Sequence, residues 1–149
     1  MISLETSIHT GYDAAPTLNI DFLVVDKTDF GGILENLSDD GLKDMSLKLV
    51  MENGEVITSD GMSIFKSWLG IGFRLSTSLV SMRSDKRSLR GDLSSIQYLV
   101  GQFSTSNIKS LTFKGKYTID FSSIDTKSQL CYDFYRLADE AGKSKILPN

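Results

Sequence analysis

Met45-Ser46-Leu47-Lys48-Leu49-Val50-Met51-Glu52-Asn53-Gly54-Glu55-Val56-Ile57-Thr58 carries the strongest local signal in this 149-residue chain. Met45, Leu47, Leu49 and Met51 occupy alternate positions, the period of a strand that buries one face. Val56-Ile57-Thr58 resumes β character after the turn residues. Asn-Gly between two such patterns marks a hairpin, because the type I′ turn it favours needs φ > 0 at both central residues. These residues therefore read as two antiparallel strands.

Alternation also marks the flanking sequence. On the N-terminal side, Ile2, Leu4, Thr6 and Ile8 form one strand pattern, and Leu18, Ile20, Phe22 and Val24 form another. Residues 9–16, with Gly11, Asp13 and Pro16, read as the loop between them. Residues 27–44 are acidic. Phe30, Ile33, Leu34 and Leu37 fall there at helical spacing, which suggests one short helix, and Gly31-Gly32 weigh against it. On the C-terminal side, Leu69, Ile71, Phe73 and Leu75 alternate, and β character persists to Met82. This predicts one long strand over about 71–82; Ile64, Phe65, Trp68 and Leu69 sit at one-turn spacing, and residues 62–70 are left open between a helical turn and a strand. Residues 83–91 read as a loop.

Asp92 is placed to cap a helix that carries Leu93, Ile96, Val100 and Phe103 on one face. Leu111, Phe113, Tyr117, Ile119 and Phe121 share one parity around Gly115. A three-residue Lys114-Gly115-Lys116 connection sets Phe113 opposite Tyr117 and Leu111 opposite Ile119; one strand bent at Gly115 is the alternative. A last helix starts near Asp125 or Thr126 and buries Leu130, Phe134, Leu137 and Ala141, with Gly142 as its stop. Hairpins early and helices late indicate an α+β fold. The expected architecture is a largely antiparallel sheet of about six to seven strands, with two helices (about 92–103 and 126–141) on one face. One globular domain over 1–149 is the economical expectation, since a chain this long buries roughly 70% of its unfolded surface.

Composition narrows the class of protein. Hydrophobic residues make up 40% and charged residues 23%, which excludes general disorder and collagen-like sequence. One cysteine, Cys131, excludes an internal disulfide and a Cys-rich zinc site. The N-terminus lacks the basic start and apolar run of a secretory signal, and the longest apolar runs are strand-sized. The expectation is a cytoplasmic protein with no membrane span. The formal net charge of −3 conceals a division. Residues 1–60 hold twelve acids and three bases, a net of −9; residues 61–149 hold seven acids and thirteen bases, a net of +6.

Catalytic motifs are absent. There is no Gly-x-Ser-x-Gly elbow, His-Glu-x-x-His or P-loop, and Gly70-Ile71-Gly72 is a fragment of the dinucleotide fingerprint with Leu75 where its third glycine belongs. Asp39-Asp40-Gly41 lacks the alternating ligand spacing of a calcium loop. Cys131 reads as a buried thiol beside an apolar stripe, and His9 as an exposed loop residue. No catalytic residue, metal or cofactor is expected, and a hydrolase with a carboxylate-based site is the least favoured class.

Binding is the better expectation. Asp29, Glu35, Asp39, Asp40 and Asp44, with Phe30 as an apolar anchor, suit a basic protein partner, because anionic surfaces steer cationic ones and aromatics hold them. This points to an inhibitor, immunity-type or adaptor protein. Pairing of opposite charges between copies would give a homodimer. The alternative is a nucleic-acid module that holds phosphates with Arg83, Lys86, Arg87 and Arg90. An acidic whole and a basic loop without aromatics weigh against it.

Overall fold

The computed structural model describes residues 2–10, 16–24, 46–60, 63–67, 70–77, 82–85, 87–89, 92–113, 117–140 and 146–148. In chain order these form β1 (Ile2–Thr10), β2 (Pro16–Val24), β3 (Leu47–Met51), β4 (Val56–Ser59), β5 (Ser63–Ser67), β6 (Gly70–Ser76), β7 (Met82–Ser84) and β8 (Ser88–Leu89). They continue with α1 (Leu93–Thr105), β9 (Ile108–Phe113), β10 (Tyr117–Asp120) and α2 (Thr126–Glu140). Every strand pairing among them is antiparallel, and the fold is α+β.

The expected single sheet is two sheets. One runs β1-β2-β6-β5, the other β10-β9-β3-β4-β7-β8. Hairpins set the local pairs, and long-range pairs set the division: β2 joins β6, while β3 joins β9. Three local readings account for the undercounted strands. The long strand over 71–82 ends at Ser76, where the Thr77 N–H donates to the Leu18 carbonyl at 3.1 Å and Thr77 Oγ1 accepts from the Leu18 N–H at 3.0 Å. Residues 63–67, open between helix and strand in the sequence, are a strand paired with β6. The supposed loop after 82 contains the β7–β8 hairpin at the sheet edge. His9 also lies in a strand rather than a loop, paired with Thr17.

The β3–β4 hairpin forms with a different turn from the expected one. Met51 N–H donates to the Glu55 carbonyl (2.9 Å), and Gly54 N–H to the Met51 carbonyl (3.0 Å). The loop is therefore three residues, 52–54, with Gly54 at φ +90°. This is a type I turn closed by a left-handed glycine, which needs positive φ at one position only. At the other hairpin the expected register holds, with Phe113 opposite Tyr117 and Leu111 opposite Ile119. The Phe113 and Tyr117 rings stack at 5.1 Å.

Phenylalanines join the two sheets. Phe22 of β2 meets Phe121 edge-on at 5.9 Å, and Phe73 of β6 meets Phe113 of β9 at 4.7 Å. These four rings, with Phe103 of α1 and Phe134 of α2, are fully buried in one apolar cluster. Each such burial contributes about 2 kcal/mol, so a core of this kind holds without a covalent staple. The helices pack on each other, α2 also against β1 and α1 against β2. Asp92 caps α1 as expected, accepting from the Ser95 N–H at 2.8 Å. Asp125 caps α2, accepting from the Ser128 N–H (3.2 Å) and hydroxyl (2.7 Å).

A short polar knot ties the helices to the six-stranded sheet. The Asn107 carbonyl accepts from the Glu52 N–H at 2.9 Å, and its side-chain oxygen from the Lys127 N–H at 2.9 Å. Asn53 Nδ2 donates to Gln102 Oε1 at 2.9 Å, and the buried Thr126 hydroxyl accepts from the Ile108 N–H at 2.8 Å. The expected short helix over 30–37 lies outside the described residues.

Candidate functional site

The outer face of the six-stranded sheet follows from strand parity. Leu47, Leu49 and Met51 of β3 are buried, as are Leu111 and Phe113 of β9, so their neighbours point the other way. Thr118, Thr112, Lys48, Thr58, Arg83 and Ser88 stand in cross-strand register through all six strands. The Thr112 and Thr118 hydroxyls bond to each other at 2.9 Å. At about 4.8 Å per strand this row is roughly 24 Å wide, and it carries hydroxyls and cations without an aromatic.

Arg83 and Arg87, two of the four cations considered for phosphate, line one groove at the edge of this face. The groove has a volume of about 310 Å³ and is bordered also by Val56, Thr58, Ser84 and Asp85. Ser84 N–H donates to the Arg87 carbonyl at 2.9 Å, and Arg87 N–H to Ser84 Oγ at 3.1 Å, which fixes the hairpin tip. The two arginines differ in use. Arg83 is exposed. Arg87 turns back onto α1, donating to Ser94 Oγ at 3.1 Å and lying 5.2 Å above the Tyr98 ring. Tyr98 in turn donates to Glu55 Oε1 at 2.6 Å, and Glu55 is only 5% exposed. Burial first, then this bond, pushes the Tyr98 phenol above its usual range. Arg87 is thus half of a structural clasp, and Asp85 adds an anion to the same groove. Lys86 and Arg90 lie outside the described residues.

Asp29, Phe30, Glu35, Asp39, Asp40 and Asp44 also lie outside the described residues. The chain that carries them leaves β2 at Val24 and rejoins the described fold at Ser46, beside Leu47. Leu47 pairs with Phe113 and Ser59, and Ser59 with Met82, all at one end of the six-stranded sheet. The tip of the basic hairpin lies at the other end, level with Val56 and Ile57. Val56 pairs with Val50, three residues along β3 from Leu47, so the two levels lie about 10 Å apart at roughly 3.4 Å per residue. The division of charge is not complete, however. Asp21 of the acidic half and Arg74 of the basic half face each other on the four-stranded sheet, with Nε–Oδ1 2.8 Å and Nη2–Oδ2 2.9 Å. This bond and the aspartate charge hold the Arg74 guanidinium above its usual range.

No family model, curated protein or solved structure matches this chain. The described residues must therefore speak for themselves. Among them, no group of three or more His, Cys, Asp or Glu is arranged to hold a metal ion, and no helix is long and apolar enough to cross a membrane. Cys131 is half-buried rather than buried. It sits on α2, whose Gln129 Nε2 donates to the Leu4 carbonyl of β1 at 2.8 Å. His9 is five strand positions beyond Leu4, about 16 Å along the strand, so chain proximity alone does not make a Cys–His pair.

One feature escaped the sequence reading. Among the described residues, Tyr132 and Tyr135 are the exposed large hydrophobics, 69% and 51% exposed. Their spacing, with Ser128 and Asp139, marks a second stripe opposite Leu130, Phe134 and Ala138.

Proposed function

We propose that this chain is a non-catalytic protein-binding module of the inhibitor, immunity or adaptor type that masks a basic partner. What supports it is the division of charge along the chain, twelve acids and three bases over residues 1–60 against seven acids and thirteen bases over 61–149. Opposite charges kept apart in space give a field that orients an incoming partner, whereas interleaved charges cancel. The acidic tract over 29–44 is the favoured contact, because its sequence combines carboxylates with Phe30, and a cytoplasmic setting fits the single unpaired cysteine.

Capture of partners from an extract of the source, with wild type and with Asp39→Lys plus Asp40→Lys as bait, tests this. The double variant should lose a basic protein that the wild type retains, and raising salt from ~10 to ~150 mM should weaken the wild-type complex. Equal recovery by both baits at both salts overturns the assignment. Phosphate binding is the second reading, favoured by the two arginines and two hydroxyls around one groove. Fluorescence polarisation with a single-stranded oligonucleotide decides it: salt-sensitive binding lost in Arg83→Ala supports it, and absence of binding removes it.

A further inference from the structure

Most of the described cations already have a partner. Arg74 is bonded to Asp21, Arg136 stands 4.0 Å from Asp133, and Arg87 lies on the Tyr98 ring. The Asp120 and Asp125 carboxyls, held below their usual range by bonds from Ser122 and Ser128, also feel the charges of Lys109 and Lys127. Lys48 and Arg83 differ: both are exposed, and neither forms an ion pair or hydrogen bond among the described residues. They are also neighbours. Lys48 of β3 pairs with Thr58 of β4, and Thr58 with Arg83 of β7, so the two cations flank one hydroxyl on the outer face of the six-stranded sheet. Two strand spacings put their Cα atoms about 10 Å apart. The same row continues through Thr112 and Thr118 on one side and Ser88 on the other, and it holds no carboxylate. Asp85 lies one row away, its N–H on the Val56 carbonyl at 3.1 Å.

We propose that this row is a track for the phosphodiester backbone of a single-stranded nucleic acid laid across the strands, with Lys48 and Arg83 on its phosphates and the Thr58 and Ser88 hydroxyls donating to phosphate oxygens. The inference rests on the second reading above, that the groove beside Arg83 takes phosphate, and extends it to Lys48, which lies outside that groove. Charge complementarity names the occupant. Two neighbouring cations without a counter-anion attract a polyanion, and Lys, Arg, Ser and Thr are the side chains that hold phosphate oxygens. A row roughly 24 Å wide spans several phosphates, whereas a mononucleotide reaches only the groove. A single strand bends to follow the row, while a stiff duplex winds its backbone away from it. The row carries no aromatic to stack bases, so contact is with the backbone and independent of sequence. The net charge of −3 opposes this little, because salt at 0.15 M screens charges beyond about 8 Å.

Polarisation of labelled oligothymidylates of about 4 and about 12 nucleotides on the full-length chain, between ~50 and ~200 mM salt, tests the track. The longer probe should bind roughly tenfold tighter than the shorter one. Its log affinity should fall with log salt at a slope of about −1.4, from two phosphates at about −0.7 each, and Lys48→Ala should bring the slope to about −0.7. Lys127→Ala, which removes the same charge from α2, should leave the slope unchanged. A slope reduced by Arg83→Ala and not by Lys48→Ala overturns the track and leaves phosphate to the groove alone. Equal losses in Lys48→Ala and Lys127→Ala, or equal binding of a poly-glutamate of the same length, overturn recognition of phosphate by this row. Absence of binding by either oligothymidylate overturns the track together with the groove reading.

Discussion

Tyr98 on α1 and the pair Tyr132 and Tyr135 on α2 are the same side chain in opposite circumstances. The Tyr98 ring lies under Arg87 and its hydroxyl is spent on Glu55, so it joins a helix, a hairpin and a strand end. Among the described residues, Tyr132 and Tyr135 stand largely in solvent. Position relative to the buried stripe explains the difference. Tyr98 lies beside buried Leu99 and borders the sheet, whereas Tyr132 and Tyr135 lie across α2 from Leu130 and Phe134. The helices are alike in length and apolar inner face, yet the α1 tyrosine is tied to Arg87 and Glu55 whereas the α2 pair faces solvent.

Substitutions can break that comparison at decreasing strength. Phe134→Ala, on the inner face of α2, should cost about 3–5 kcal/mol in a denaturant titration, because it opens a cavity in the shared core. A loss under about 1 kcal/mol would mean that α2 is not anchored as described. Tyr98→Phe should cost about 1–2 kcal/mol, since it deletes one hydrogen bond to a buried carboxylate while retaining the ring. Asp92→Ala should cost about 1 kcal/mol by removing the α1 cap that Ser95 N–H uses.

The smallest effect is one of pH. Hydrogen bonds from Ser128 hold the Asp125 carboxyl below its ordinary value of 3.8. A depressed folded value stabilises the fold above the unfolded value and loses that contribution as pH falls through the folded one. The gap in denaturation midpoint between wild type and Asp125→Ala should thus be flat at neutral pH and narrow below about pH 4. Asp133 behaves oppositely, because burial raises its carboxyl against the pull of Arg136. Only the single-site comparison therefore isolates Asp125. A gap that widens in acid would contradict its role.

Local rules made much of this fold legible. Alternation and Asn53-Gly54 located the β3–β4 hairpin, and shared parity around Gly115 set Phe113 opposite Tyr117. Asp92 marked the start of α1 because N-caps are written in one residue and one turn. The division into two sheets was not legible. Whether β2 pairs with β6 or with another strand depends on contacts some fifty residues apart, and the alternation of Leu18, Ile20 and Phe22 reads the same either way. The end of β6 at Ser76 rests on the reciprocal bonds of Thr77 with Leu18, for which no local signal exists. As for binding residues, the basic tract could be located but not the use of Arg87, which depends on a helix folding back above it. The α2 tyrosines were readable, since 128, 132, 135 and 139 form a stripe, but a stripe becomes informative only once its opposite is known to be buried.

The central claim is that the inner stripe of α2 holds the fold and the outer stripe does not. Comparing the stability of Tyr132→Ala/Tyr135→Ala with that of Phe134→Ala tests it most directly. The double variant should denature within about 0.5 kcal/mol of wild type, whereas Phe134→Ala should lose about 3–5 kcal/mol. A double variant that loses as much as Phe134→Ala would contradict the claim.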